Sequence, residues 1–281
     1  MTNTNGKTAV MTGGTSGLGE AAAVALSGAG WRVLVVGRDA ARGAEVVKKL
    51  GSGSEFLQAD LFSLEDVRRL AGEIQRRAPK LDLLVNNAGG VFSASEPTVD
   101  GLERTFALNV AAPFVLTEAL VEPLAAARGR VVNVVTGVAN GFKASLEQLV
   151  GPKAKGGMMA YARNKLALIA VTNEQQKRLG ARGITVVALH PGIIPTTRFG
   201  HTMTGFNPFT TIGPVMAKLF GFGITAEKAA ARFVDVGTAP VEQAGYYYEG
   251  KLRPAPKLTL DPEFSSSLWT KLEAVTRGAA A

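Results

Sequence analysis

Cysteine is absent from these 281 residues, which excludes a disulfide framework, a thiolate metal site and a cysteine nucleophile, and agrees with a reducing compartment. Only two histidines occur, His190 and His201, so a histidine-rich centre is out of reach and no metal site is expected. No uninterrupted apolar run approaches the roughly 20 residues that span a bilayer. The opening Met1-Thr2-Asn3-Thr4-Asn5-Gly6-Lys7 is polar, with no apolar signal segment. A soluble, cytoplasmic chain without a transmembrane segment is expected. A massed basic run is also missing: the net charge is +8, yet the lysines and arginines are scattered. That pattern describes a solvated surface, and nucleic acid is not an expected partner.

The composition is 46% hydrophobic and 19% charged, enough apolar material for one core of this size without metals or disulfides. Neither an internal repeat nor a low-complexity linker divides the chain, so a single domain over 1–281 is expected. Apolar, β-branched runs at 8–11, 32–36, 55–59, 81–85, 130–135, 184–189 and 245–248 alternate with helical patterns at 18–27, 40–50, 64–77, 99–126, 158–179 and 226–236. Strands that are continuously apolar are covered on both faces, and helical crossovers make them parallel. The fold class is α/β, a Rossmann-type doubly wound parallel sheet of about seven strands with helices on both faces. Two stretches interrupt the alternation. One is the long connection 137–157; the other, 193–224, carries Phe199, Met203, Phe206, Phe209 and Met216 among glycines and prolines. Long apolar connections after strand ends suit a substrate loop better than an idle one. A C-terminal tail, 249–281, follows.

The first strand runs into Thr12-Gly13-Gly14-Thr15-Ser16-Gly17-Leu18-Gly19 and then a helical pattern. Gly13, Gly17 and Gly19 permit positive φ and close backbone approach, and the N–H groups opening the helix favour an anion. A pyrophosphate is the natural occupant, held among Thr15, Ser16 and Leu18. A tight strand-to-helix turn needs glycine even without a ligand, so context has to carry the reading. The second strand ends Val36-Gly37-Arg38. An acidic residue at that tip would hold a ribose 2′-hydroxyl; here Gly37 stands there, and the Arg38 guanidinium can pair with a 2′-phosphate. NADP(H) is therefore expected over NAD(H). Asp60, with Leu61 beside it, is placed to accept from an adenine amino group, although an N-cap for the helix beginning near Leu64 explains an acid there almost as well.

Further along come Asn86-Asn87-Ala88-Gly89, Asn109 within a helical pattern, Thr136 after the fifth strand, and Tyr161-Ala162-Arg163-Asn164-Lys165. With TGxxxGxG, NNAG and YxxxK in this order along nearly the whole chain, the sequence resembles the short-chain dehydrogenase/reductase family. Tyr161 and Lys165, four apart, project from one helix face. A tyrosine hydroxyl with ordinary pKa about 10 is a poor acid-base catalyst at neutral pH, and a neighbouring ammonium and oxidised nicotinamide ring supply the field that lowers it. The resemblance implies that Tyr161 exchanges a proton with the substrate oxygen and that Lys165 also holds the nicotinamide ribose. It further implies that Asn109 relays protons toward Lys165, and that Asn87, Ala88 and Gly89 line the adenosine side. Thr136 stands where relatives usually carry serine; its hydroxyl can polarise a carbonyl, but its methyl occupies space beside the reacting carbon. Ser145 is an alternative hydroxyl. In His190-Pro191-Gly192-Ile193-Ile194-Pro195-Thr196, the resemblance implies that the Pro191, Gly192 and Ile194 segment binds the nicotinamide carboxamide and Thr196 the phosphates or amide. His190 reads as structural.

The long spacing from Thr136 to Tyr161 resembles the branch of retinol dehydrogenases, WW-domain oxidoreductases and protochlorophyllide reductases. An NADP(H)-dependent oxidoreductase is expected, moving hydride between the nicotinamide and a small lipophilic alcohol, aldehyde or ketone. The alternative is a catalytically weak NADP(H)-binding sensor or scaffold on the same fold. The long helices of 99–126 and 158–179 are candidates for pairing into a homo-oligomer, as in relatives.

Overall fold

The computed structural model describes residues 6–51, 53–92, 97–137, 139, 143–150, 156–194, 223–238 and 244–277. Among them the chain runs β1 (Thr8–Thr12), α1 (Gly17–Gly28), β2 (Arg32–Gly37), α2 (Ala40–Val47), β3 (Glu55–Gln58), α3 (Leu64–Arg77) and β4 (Leu83–Asn86). A broken helical region follows, α4 (Arg104–Phe106), a π-helical turn (Ala107–Ala111), α5 (Ala112–Ala119) and α6 (Val121–Ala127). The second half comprises β5 (Arg130–Val134), α7 (Leu146–Leu149), α8 (Met158–Leu179), β6 (Thr185–His190), α9 (Ala226–Thr238), β7 (Tyr246–Tyr248), β8 (Lys251–Arg253) and α10 (Pro262–Arg277).

The sheet has eight strands in the order β3-β2-β1-β4-β5-β6-β7-β8, and every pairing is parallel except β7 with β8. Adjacent residues of each inner strand serve opposite faces. Val10, Leu34, Leu84 and Val131 pack with α3, α5 and α8, while Met11, Val35, Val85 and Val132 pack with α1 and α9. This double covering explains why the strands read as continuous apolar runs. The order reverses between β1 and β4, opening a crevice at the strands' C-terminal ends.

The sequence pattern predicts about seven strands, and eight form among the described residues. The additional β8, at Lys251–Arg253, is an exposed antiparallel edge, and such a short charged strand carries too little periodicity to be read. The single helix expected over 99–126 is broken instead. Pro113 and Pro123 have no N–H to donate and crowd the carbonyls four residues back, so the ladder widens into the π turn before α5 and restarts after Leu120. The tail contains a further helix, α10, beyond those expected. Asp261 caps it through its Oδ1, Pro262 stands at the first position, and Leu268 and Leu272 are fully buried. Trp269 of α10 meets Phe114 of α5 edge-on at 4.9 Å and stacks under Arg178 of α8 at 4.1 Å. No single helix among the described residues is long and apolar enough to cross a membrane; the bent pair Arg104–Ala119 and Val121–Ala127 passes by length and composition alone.

Candidate active site

The turn after β1 is shaped by its glycines. Gly13 and Gly17 have φ +64° and +57°, and a Cβ on Gly19 would lie 2.2 Å from the Gly13 carbonyl oxygen. Ser16 precedes α1 without a side-chain capping bond, so this twelve-residue helix presents its opening N–H groups to whatever lies above. Thr12 ties the turn to the next strand: its Oγ1 donates to Val85 O at 3.2 Å and accepts from the N–H groups of Asn87 and Ala88, both at 3.0 Å. Asn87 Nδ2 donates back to Thr12 O at 2.9 Å. The glycine motif by itself does not mark Thr12 for this role.

At the tip of β2, a Cβ on Gly37 would stand 2.6 Å from Thr15 Cγ2. Any side chain there would have to displace that of Thr15. Arg38 is exposed, its guanidinium 5.3 Å over the Phe62 ring. Asp60 does not cap α3. Its Oδ1 accepts from Phe62 N at 3.1 Å, and Ser63 is the cap, accepting from Asp66 N at 3.2 Å. Leu61 is buried beside it.

Tyr161 and Lys165 come from α8, which begins after Gly157 (φ +88°). The Gly157 N–H donates to Phe92 O at 2.6 Å, and Tyr161 N donates to Gly157 O at 3.0 Å, so the helix start is fixed to the loop that leaves β4. Deeper down, Asn86 Nδ2 donates to Asn133 Oδ1 at 2.8 Å and Asn133 Nδ2 to Thr172 Oγ1 at 2.9 Å, pinning α8 to the two central strands. Sequence reasoning misses these buried amides as positioning groups, because a lone asparagine in a strand pattern carries no signal of its partner.

Lys165 Nζ donates to Val134 O at 2.8 Å and lies 5.7 Å from the Tyr161 ring centroid. Thr136 follows two residues beyond that carbonyl, at the mouth of β5. Asn109 sits in the π turn, where its Nδ2 donates to Gly90 O and Thr105 O, each at 2.8 Å. Its Oδ1 is buried with no hydrogen-bond partner. A Cβ on Gly89 would meet that oxygen at 2.7 Å and Lys165 Nζ at 3.2 Å. Gly89, expected on the adenosine side, thus lies beside Asn109 and Lys165. Burial raises the Tyr161 phenol above its ordinary value and lowers the Lys165 ammonium to about 7.

Pro191, Gly192 and Ile194 follow β6 at the same rim; Gly192 takes φ +107°. Thr196 lies outside the described residues, as do 195–222 of the expected substrate loop. Ser145 stands at the start of α7, where its backbone N–H donates to Gln148 Oε1 at 3.2 Å. His190 is buried, its ring 4.6 Å from that of Tyr248, and burial pushes it down to about 4 against the pull of the Glu249 carboxylate. No group of three or more His, Asp or Glu residues suited to a metal occurs among the described residues.

A parallel sheet that reverses order beside a glycine turn and an uncapped helix start defines a dinucleotide-binding α/β protein. The residues fit such a group: Gly13 and Gly19 lie so close to the backbone of Ala88 and Gly13 that no side chain fits on the turn, the opening N–H groups of α1 carry no side-chain cap, and beside Gly89 the Asn109 oxygen is buried without a hydrogen-bond partner. Residues 7–204 match the short chain dehydrogenase family model, and the chain belongs to that oxidoreductase family, in its retinol dehydrogenase-like branch. It is 31% identical to polyprenol dehydrogenase of Danio rerio over 279 residues, covering 94% of this chain and 85% of that one. Identity to retinol dehydrogenase 13 of Homo sapiens is 29% over 280 residues, covering 95% and 83%. Among solved structures, a blue fluorescent protein from a metagenomic library in complex with NADPH superposes with TM-score 0.68 at 27% identity, covering 88% of this chain and 97% of that one.

Proposed function

We propose that the chain is an NADP(H)-dependent oxidoreductase acting on a lipophilic alcohol or its carbonyl partner. The observation that carries this reading is the convergence of Asn109 Oδ1 and Lys165 Nζ above Gly89, beside Tyr161. When bound, the dinucleotide supplies the hydride donor or acceptor. The chain's own residues do the rest. Gly13, Thr15, Ser16, Gly17, Leu18 and Gly19 hold the pyrophosphate; Asp60, Leu61, Asn87 and Ala88 line the adenosine; and the 191–194 turn with Thr196 receives the carboxamide and phosphates.

Arg38 pairs with a 2′-phosphate, and at Gly37 the acid that would prefer a free 2′-hydroxyl would have to displace the Thr15 side chain. Tyr161 holds a proton for the substrate oxygen, and Thr136 donates to that oxygen. A fall of about 3 units below 10 takes about 4 kcal/mol of opposing stabilisation, and a phenol that burial first pushes upward takes more; the cationic form of Lys165 supplies the right sign of field. Asn109, through its orphaned oxygen, accepts from the Lys165 side of the relay. The apolar residues of 193–224 and the resemblance to polyprenol and retinol dehydrogenases support a lipophilic substrate of low molecular weight. If copies pair, the strip of α5 and α8 under Trp269 is already taken by α10.

Steady-state oxidation of NADPH and of NADH against a panel of lipophilic aldehydes and ketones tests the reading. Turnover with NADPH favoured is expected. Cofactor binding without turnover on any carbonyl would favour the sensor alternative.

A further inference from the structure

The turn that leaves β6 is held by parts of the chain that arrive much later. Ile224 N donates to Ile193 O at 2.9 Å, and Glu249 N donates to His190 O at 2.8 Å. Between them, Arg232 of α9 extends its side chain, only 21% exposed, and donates from Nη1 to Pro191 O. The same nitrogen lies 2.7 Å from where a Cβ on Gly192 would stand, so glycine is required there by both φ and space. Arg232 Nη2 faces Glu249 Oε2 at 3.7 Å, and Glu249 itself takes φ +52° to reach its place. Three carbonyls of one turn are thus occupied from α9, its approach and the β7–β8 connection.

We propose that Arg232 is a positioning residue for the nicotinamide half of the cofactor site, fixing the Pro191–Gly192 turn in the shape that receives the carboxamide. This rests on the reading of 191–194 as that receptor. A guanidinium suits such a role because it stays charged at every working pH, and its planar fork serves Pro191 O and the Glu249 carboxylate together. An ammonium is a single point charge and cannot hold both directions. Because α9 follows the apolar 193–224 segment, the arginine also anchors the far end of that segment to the turn at its near end.

The test compares NADPH with adenosine 2′,5′-bisphosphate, which has the adenosine and both flanking phosphates but no nicotinamide. Losing a charge-assisted hydrogen bond from the turn should raise the NADPH Kd of Arg232→Met about tenfold and leave the bisphosphate within about twofold. Arg232→Lys should fall between Arg232→Met and wild type, and kcat/KM for NADPH should drop more than kcat. In the protein without ligand, the amides of Gly192, Ile193 and Ile194 should exchange hydrogen faster in Arg232→Met. Equal weakening of both ligands, an unchanged NADPH Kd, or unchanged exchange at 192–194 would overturn the proposal. Should Arg232→Met fail to fold, the lysine variant is judged by the same comparisons. A wild-type protein that binds the bisphosphate but not NADPH would instead defeat the carboxamide reading, with the exchange experiment still deciding whether Arg232 holds the turn.

Discussion

Asn109 Oδ1 and Lys165 Nζ converge on Gly89, one from a π-helical turn and the other from a long helix, so that a Cβ there would lie 2.7 Å from the oxygen and 3.2 Å from the nitrogen. The asparagine's amide nitrogen is committed twice to backbone carbonyls, which fixes its oxygen beside Gly89. The π turn that produces this orientation follows from Pro113, four residues beyond Asn109.

Gly89→Ala places a methyl 2.7 Å from Asn109 Oδ1 and 3.2 Å from Lys165 Nζ. Both atoms belong to buried side chains with little room to move. We expect kcat to fall by about tenfold or more, with NADPH affinity changed far less, because the added atom intrudes on the relay and not on the glycine turn. Parallel measurement of kcat and of the NADPH Kd checks the split; a loss confined to Kd would return Gly89 to the adenosine side.

Tyr161→Phe removes the hydroxyl and keeps the ring that lies 5.7 Å from Lys165 Nζ. Loss of a general acid-base group should lower kcat by roughly 10²-fold or more. Fluorescence titration with NADPH should give an affinity near wild type. Normal turnover would mean that another group moves the proton.

Arg38→Asp should weaken NADPH by roughly tenfold to a hundredfold and NADH by much less, since the lost contact is to the 2′-phosphate. Gly37→Asp, the change that would otherwise install a ribose-binding acid, meets Thr15 Cγ2 at 2.6 Å. It should destabilise the fold unless Thr15 is reduced to glycine in the same chain, since the Thr15 hydroxyl also stands 2.8 Å away. Kd values for both dinucleotides, with thermal midpoints of the single and double variants, decide both points.

His190 gives the fold a dependence on acid. Its folded pKa is held at about 4 by burial, below the ordinary 6.5, so between those values the unfolded chain binds a proton that the folded one does not. Stability therefore rises with pH across this window and is lost as pH falls through it, by about 3 kcal/mol for a shift of this size. The ring packs on Tyr248, the Val135 backbone favours its charged form, and the charges of Glu249 and Arg232 act on it in opposite senses. Urea unfolding at pH 4 and pH 7 should show a smaller loss for His190→Gln than for wild type; equal losses would assign the acid sensitivity to carboxylates elsewhere.

Much of this architecture is written locally. Helices α3 and α8 occupy the residues their periodicity predicts, 64–77 and 158–179, because apolar spacing and polar ends agree there. The parallel sheet follows from strands such as β2 and β5, apolar throughout because helices cover both faces. The break at 107–111 is equally present in the sequence, in Pro113, but its outcome is not. A proline announces a defect without saying whether the chain kinks, stops or widens into a π turn.

The sequence by itself determined the fold class, the family motifs and the order in which their residues appear, since each depends on spacing within a single element. Tertiary structure alone decided which groups come together: the Asn109 oxygen and Lys165 Nζ beside Gly89, Thr15 against Gly37, Arg232 on the Pro191 carbonyl. Those pairs join residues far apart in the chain, and their geometry is set by how helices pack on the sheet, a property that no local pattern encodes.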